Sequence, residues 1–161
     1  MIKVLFVCWG NICRSPMAEF ILKDMVAKRG ISGEFRIESA ATSSEECYGG
    51  VGNPVYPPAR RELIRHGIGI PGNELGLEEK RARQLRRDDY DKWDYIIGME
   101  QLNIGYMNRI LGGDPEGKVK LLMDFTDSPE DIADPWYSGD FAGVYAQIER
   151  GCSSLLEKVG F

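Results

Sequence analysis

Residues 2–20 read IKVLFVCWGNICRSPMAEF, and the order of residue types within them decides the fold class. Residues 2–8, IKVLFVC, form a nearly continuous run of β-branched and apolar side chains. Such a run suits a strand buried on both faces of a parallel sheet. A helix follows within a few residues. SPMAEFILKDMVAKRG, residues 15–30, has Pro16 and Glu19 at first-turn positions, apolar residues at helical spacing and Gly30 as a stop. A buried strand turning directly into a helix is the opening of a parallel α/β unit.

Outward from that unit the pattern repeats. A second strand is expected at 34–39 (EFRIES), then a Gly/Pro-rich loop over 47–58 and a helix over 58–66 that ends at Gly67. The irregular stretch GIGIPGNELG leads into the charged run EEKRARQLRRDDYDK at 78–92. Strand signals return at 94–99 (DYIIGM) and 118–122, with a helix-like QLNIGYMNRIL between them. After an acidic loop over 124–139, residues 140–159 read as a closing helix. Alternating strands and helices predict a parallel sheet with right-handed crossovers. No repeat, linker or low-complexity block divides residues 1–161, so one domain is expected.

The 161 residues are 43% hydrophobic and 28% charged, with a net charge of −5, a composition ordinary for a soluble globular chain. That charge argues against nucleic acid as a partner. Within KRARQLRR the neighbours Glu78, Glu79, Asp88 and Asp89 dilute the positive run, and a solvated helix face is the expected form. No apolar stretch is long enough to span a membrane and no signal peptide is evident, so a cytoplasmic chain is expected. The four cysteines, Cys8, Cys13, Cys47 and Cys152, lack the spacing of a disulfide framework and are expected to be free. No metal-ligand cluster is evident with a single histidine, His66, and no cofactor is implied.

In open α/β sheets ligands collect at the carboxyl ends of strands, where helix N-termini favour anions. Cys8 to Ser15 falls at that place. The spacing C-x5-R alone is weak, since four cysteines and 12 arginines give about 0.3 chance matches; its position between strand and helix sharpens it. Such a loop can wrap an oxyanion with its backbone N–H groups while Arg14 forks onto two phosphate oxygens. Gly10 and Asn11 tolerate the positive φ a curled loop needs. A cysteine in that field is expected to be a thiolate at neutral pH, hence a nucleophile toward phosphorus, with Ser15 positioned to donate to it. The competing reading is a buried core thiol at a strand end. Attack on an ester also needs a general acid. Among the carboxylates of MDFTDSPEDIADPWYSGD, Asp134 is the strongest candidate, held extended by Pro135 beside the apolar Trp136 and Tyr137.

With VCWGNICRS near the start and DPWY near the end, the chain resembles the low-molecular-weight protein tyrosine phosphatases, and the likeness extends through ESAATS, GNPVYPPAR, HGI, RARQ and DYIIGM. The resemblance implies a three-layer α/β/α fold with a four-stranded parallel sheet and a phosphate-binding loop between the first strand and first helix. It implies phosphotyrosine hydrolysis through a phosphocysteine. Cys8 would be the nucleophile, Arg14 the phosphate clamp, and Asp134 the acid and then the base. Trp9, Gly10, Asn11, Ile12, Cys13 and Ser15 would form the loop, with Asn11, Ser15 and Ser39 holding it by hydrogen bonds. Cys13 would be the redox partner that traps Cys8 as a reversible disulfide. Trp9, Tyr48, Trp136 and Tyr137 are the candidate substrate wall. The expected partners are a phosphotyrosine protein or small aryl phosphate and an oxyanion in the loop, with a monomer as the expected state.

Three departures from the family pattern stand out. Lys80 occupies a position that is commonly histidine, extra residues lengthen SSEECYGGVGNP and HGIGIPGNELGLEEK, and Trp9 replaces a small or aliphatic residue. Trp9 can line the pocket, or it can turn into the core. His66 is expected to be structural. Two other readings compete: an arsenate reductase on the same fold, which needs further redox cysteines in the segment 76–90 that contains none, and a phospho-ligand binding module without turnover, which predicts loss of Cys8 or Asp134.

Overall fold

The structure, a computed structural model, describes residues 1–47 and 50–161. Its chain order is β1 (Ile2–Cys8), α1 (Arg14–Lys28), β2 (Phe35–Ala41), α2 (Pro57–Arg65), β3 (Tyr95–Gly98), α3 (Gln101–Leu111), β4 (Val119–Leu121), α4 (Pro135–Ser138) and α5 (Phe141–Lys158). The four strands form one sheet in the order β2-β1-β3-β4, every pair parallel. β1 lies inside the sheet, and Val4, Leu5, Phe6 and Val7 are wholly buried. Their alternation divides them between two cores. Val4, Phe6 and Cys8 pack with α1 and α5 on one face, while Leu5 and Val7 pack with Trp93, Met107 and Leu111 on the other. Helices therefore cover both faces, as the continuous apolar run predicts.

Boundaries differ from the sequence reading where tertiary bonds intervene. α1 begins at Arg14, so Glu19 falls beyond the first turn, and both Arg14 and Glu19 are buried. β2 runs on to Ala41, because Ala41 N–H donates to Arg83 O at 2.7 Å and Leu85 N–H donates to Ala41 O at 2.7 Å. Those two bonds correct the expectation of a helix through KRARQLRR. Residues 80–86 run past the end of β2, bridging at Ala41–Gln84 and Pro54–Arg81, and only Arg87–Lys92 coils into a short 3-10 turn.

Helix propensity there is a few tenths of a kcal/mol per residue, and the anchoring bonds outweigh it. Asp89, 2% exposed, accepts from Arg83, from Arg86 N–H and from Trp93 Nε1–H, while Leu85, Tyr90 and Trp93 are buried against the second core. Two of the run's arginines are paired, Arg83 with Asp89 and Glu38, and Arg86 with Asp88. The acidic loop is likewise partly structured, with a 3-10 turn at Leu122–Phe125 and the single-turn α4. Among the described residues no helix is long and apolar enough to cross a membrane.

Candidate active site

Cys8 ends β1 and Arg14 opens α1, so residues 9–13 must reverse between a strand and a helix in five positions. Positive φ falls at Asn11, at 59°, and not at Gly10. Asn11 is held in that conformation by its own side chain. Its Nδ2 donates to Ser15 Oγ at 2.8 Å and to Ser39 Oγ at 2.9 Å, and its Oδ1 accepts from Arg83 N–H at 3.1 Å. Cys8 Sγ is 2.9 Å from Ser15 Oγ and accepts from Asn11 N–H at 3.3 Å. The sulfur thus faces one backbone donor and one hydroxyl.

The support extends into a buried ionic chain. Ser39 Oγ donates to Glu19 Oε1 at 2.6 Å, and Lys23 donates to the other Glu19 oxygen at 2.6 Å. Lys80 Nζ donates to Ser39 O at 2.9 Å and lies 3.4 Å from Glu19 Oε1. Lysine cannot accept, and the chain is arranged to need only donors there: a backbone carbonyl and a carboxylate take its protons. Burial pulls the Lys80 pKa below the ordinary lysine value, and Glu19 opposes that fall.

Arg14 is buried to 2% exposure. Its Nη1 donates to Ile132 O at 2.8 Å, and both terminal nitrogens are 3.2 Å from Glu100 Oε1. Its Nη2 lies 3.7 Å from Asp134 Oδ2, the carboxylate expected to be the acid. Asp134 caps α4, accepting from Trp136 N–H at 3.0 Å, and is 30% exposed. Arg14 and Asp134 line a cavity of about 220 Å³ together with Gly10, Ile12 and Cys13, with Trp9, Glu45, Glu46, Trp136 and Tyr137 around it.

Trp9 faces this cavity rather than the core. Trp136 leans on Tyr56 with ring centroids 4.8 Å apart, Tyr56 N–H donates to Ile12 O, and Tyr137 is almost fully exposed. Tyr48 lies outside the described residues. Cys13 is buried beside the cavity, and its thiol pKa is raised far above the ordinary value by burial, then by the negative charges of Cys8 and Asp134. Cys8, Cys13, Cys47 and Cys152 are all free. His66 is elsewhere, stacked on Tyr145 and bonded to Glu62. No group of ligating side chains suited to a metal occurs among the described residues.

Sequence reasoning missed Glu19, Glu100, Glu45, Glu46 and Ile132. A carboxylate inside the apolar run MAEFIL is the signal that marks Glu19. Glu100 stands between β3 and α3, another strand end of the kind where ligand sites gather. Nothing local marks Ile132, whose contribution is a backbone carbonyl.

The family model described as "Low molecular weight phosphotyrosine protein phosphatase" matches residues 3–160. The chain belongs to that family. It is 38% identical over 161 residues to the low molecular weight protein-tyrosine-phosphatase YfkJ of Bacillus subtilis (strain 168), covering 99% of this chain and 96% of that protein. It is 38% identical to the low molecular weight phosphotyrosine protein phosphatase of Homo sapiens, over 97% of this chain and 94% of that one. Crystal structures of YfkJ from Bacillus subtilis, at TM-score 0.87, and of SP-PTP from Streptococcus pyogenes, at TM-score 0.82 and 34% identity, superpose on 99% and 100% of this chain and on 94% and 95% of theirs. These phosphatase relatives do not favour the arsenate reductase reading, and family membership accords with the sheet order and loop position described above.

Proposed function

We propose that this chain hydrolyses phosphotyrosine and small aryl phosphates, with Cys8 as nucleophile, Arg14 as phosphate clamp and Asp134 as acid and base. The observation that carries the reading is the Cys8 sulfur at the foot of the loop, 2.9 Å from Ser15 Oγ and 3.3 Å from Asn11 N. A phosphoryl group seated in the loop takes the backbone N–H groups and the Arg14 guanidinium as partners. Cys8 thiolate attacks phosphorus; the S–P bond forms, the P–O ester bond breaks, and Asp134 gives its proton to the departing phenolic oxygen. Asp134, now a carboxylate, takes a proton from water as that water attacks the phosphocysteine. The S–P bond breaks, inorganic phosphate is released, and Ser15 Oγ–H stabilises the returning thiolate. A binding module without turnover is disfavoured by the presence of both Cys8 and Asp134.

Cys13 is the proposed redox partner. Its raised pKa keeps it a thiol, so peroxide oxidises Cys8 first, to a sulfenic acid. Condensation with the Cys13 thiol then forms a disulfide and releases water. The test of the activity is turnover of p-nitrophenyl phosphate and a phosphotyrosine peptide without metal. Wild type is expected to turn over both, and Cys8→Ser to lose about 10⁴-fold or more in kcat. Full activity in Cys8→Ser would overturn the reading.

A further inference from the structure

Trp9 immediately follows the proposed nucleophile and is 38% exposed, with its indole in the wall of the cavity. A tryptophan on a loop normally samples several rotamers, and ordering it when a ligand arrives costs conformational entropy. Here it is already ordered from two directions. Its Nε1–H donates to Glu45 Oε2 at 2.8 Å, and its ring meets Tyr106 of α3 edge to face, with centroids 5.4 Å apart and planes at 65°.

Glu45 can hold the indole because its backbone is fastened to the same loop. Thr42 N–H donates to Cys8 O and Ser43 N–H to Trp9 O, each at 2.9 Å, and Glu45 N–H donates to Ser43 Oγ at 3.0 Å. Residues 42–45 are thus sewn along the loop, and the Glu45 carboxylate reaches back to the side chain that lines the cavity. Glu45 makes no hydrogen bond or ion pair with Cys8, Arg14, Ser15 or Asp134 among the described residues. Glu45 stands at the cavity's rim, and the hydrogen bond its carboxylate makes there is to Trp9.

We infer that Glu45 is a specificity-positioning residue: it holds Trp9 as a fixed wall and thereby selects flat aryl phosphates over ligands that offer phosphate alone. This rests on the aryl phosphatase reading above, because the same cavity takes the ester. A bare oxyanion engages only the loop. An aryl ring also packs on an indole whose rotamer is set before binding, so its contact is gained without the ordering cost.

The test is calorimetric binding of inorganic phosphate and phenylphosphonate to the full chain, run beside p-nitrophenyl phosphate turnover. Glu45→Ala is expected to weaken phenylphosphonate about five- to tenfold while phosphate changes less than about twofold. Glu45→Gln, whose amide oxygen still accepts the indole proton, is expected to restore phenylphosphonate to within about twofold of wild type. Trp9→Leu is expected to lose as much as Glu45→Ala, and the double variant no more than about twofold beyond Trp9→Leu. Equal weakening of both ligands in Glu45→Ala, no rescue by Glu45→Gln, or additive losses in the double variant would each overturn the inference. Wild type that binds both ligands but turns over no ester would instead overturn the phosphatase reading, and wild type that binds neither overturns both.

Discussion

The loop that carries Cys8 and the loop that carries Asp134 are built in opposite ways. Between Cys8 and Ser15 the residues Cys8, Asn11, Cys13, Arg14 and Ser15 are all buried, and Asn11 alone bonds to Ser15, Ser39 and the Arg83 backbone. Between Thr126 and Asp140 most residues are exposed; Pro135 and Ile132 are buried, Ile132 wholly so. It is pinned by its own N–H to Met99 O and by its carbonyl to Arg14. Two residues on, Asp134 holds Trp136 N–H and a 3.7 Å approach to Arg14. A nucleophile must meet phosphorus in line, so its position is fixed in advance. A proton can be delivered to leaving groups of different shape, so the proposed donor sits on a less buried support that meets Arg14, the proposed phosphate clamp, at two points, the Ile132 carbonyl and the Asp134 carboxylate.

The sharpest way to break this contrast is Asp134→Ala. It is expected to lower kcat about 10²- to 10³-fold with phenyl phosphate and far less with p-nitrophenyl phosphate, whose phenolate leaves without help. Steady-state kinetics across a leaving-group series checks it, and equal slowing would assign Asp134 to the capping of α4 instead. Asn11→Ala tests the other loop. It removes the side chain that holds the positive φ and is expected to cost about tenfold to 100-fold in kcat with every leaving group alike.

Lys80 sharpens the comparison through pH. Its pKa lies below the usual 10.5 because of burial, with Glu19 raising it and Arg83 and Lys23 lowering it further. The folded chain therefore releases this proton before the unfolded chain does. In that window this group's contribution to stability rises with pH, but the ion pair with Glu19 is lost. The alkaline limb of kcat is expected to follow that loss, moving to higher pH in Lys80→Arg, and Lys80→Met is expected to lose about three- to tenfold at neutral pH. An unmoved limb in Lys80→Arg would separate Lys80 from the loop.

The smallest kinetic effect is expected at Asp89. Burial raises its pKa, but the bonds from Arg83, Arg86 N–H and Trp93 outweigh burial and leave it below the ordinary 3.8. A depressed carboxylate adds stability above its unfolded value, and that stability is lost as pH falls through the folded value. Asp89→Asn is expected to cost about 1–3 kcal/mol in urea melts at pH 7, with kcat nearly unchanged. A larger loss of kcat than of stability would place the 80–86 strap within the catalytic support rather than beneath it.

Much of this was legible because it is written in local order. The apolar run at β1, the C-x5-R spacing and the helix behind it lie within residues 2–28, and backbone geometry alone brings Cys8 and Arg14 to the same loop. KRARQLRR, residues 80–87, does not form the expected helix for the converse reason. Its charges carry no period, and its conformation comes from Ala41 and Asp89, partners that its composition does not name.

The sequence by itself therefore determined the parallel α/β class and the loop at the end of β1, and it named Cys8, Arg14 and Asp134 as the residues proposed for nucleophile, clamp and acid. These follow from strand periodicity, helix signals and residue chemistry over short spans. Only the tertiary structure decided that Trp9 faces the cavity under Glu45 and Tyr106, that Lys80 and Glu19 join the loop's support, and that Glu100 and Ile132 hold Arg14. Those contacts join residues separated by 20 or more positions, apart from Glu19 with its own helix, and a hydrogen bond forms between whatever donors and acceptors the fold brings within reach. That choice is made by packing and is not encoded in either partner's neighbours.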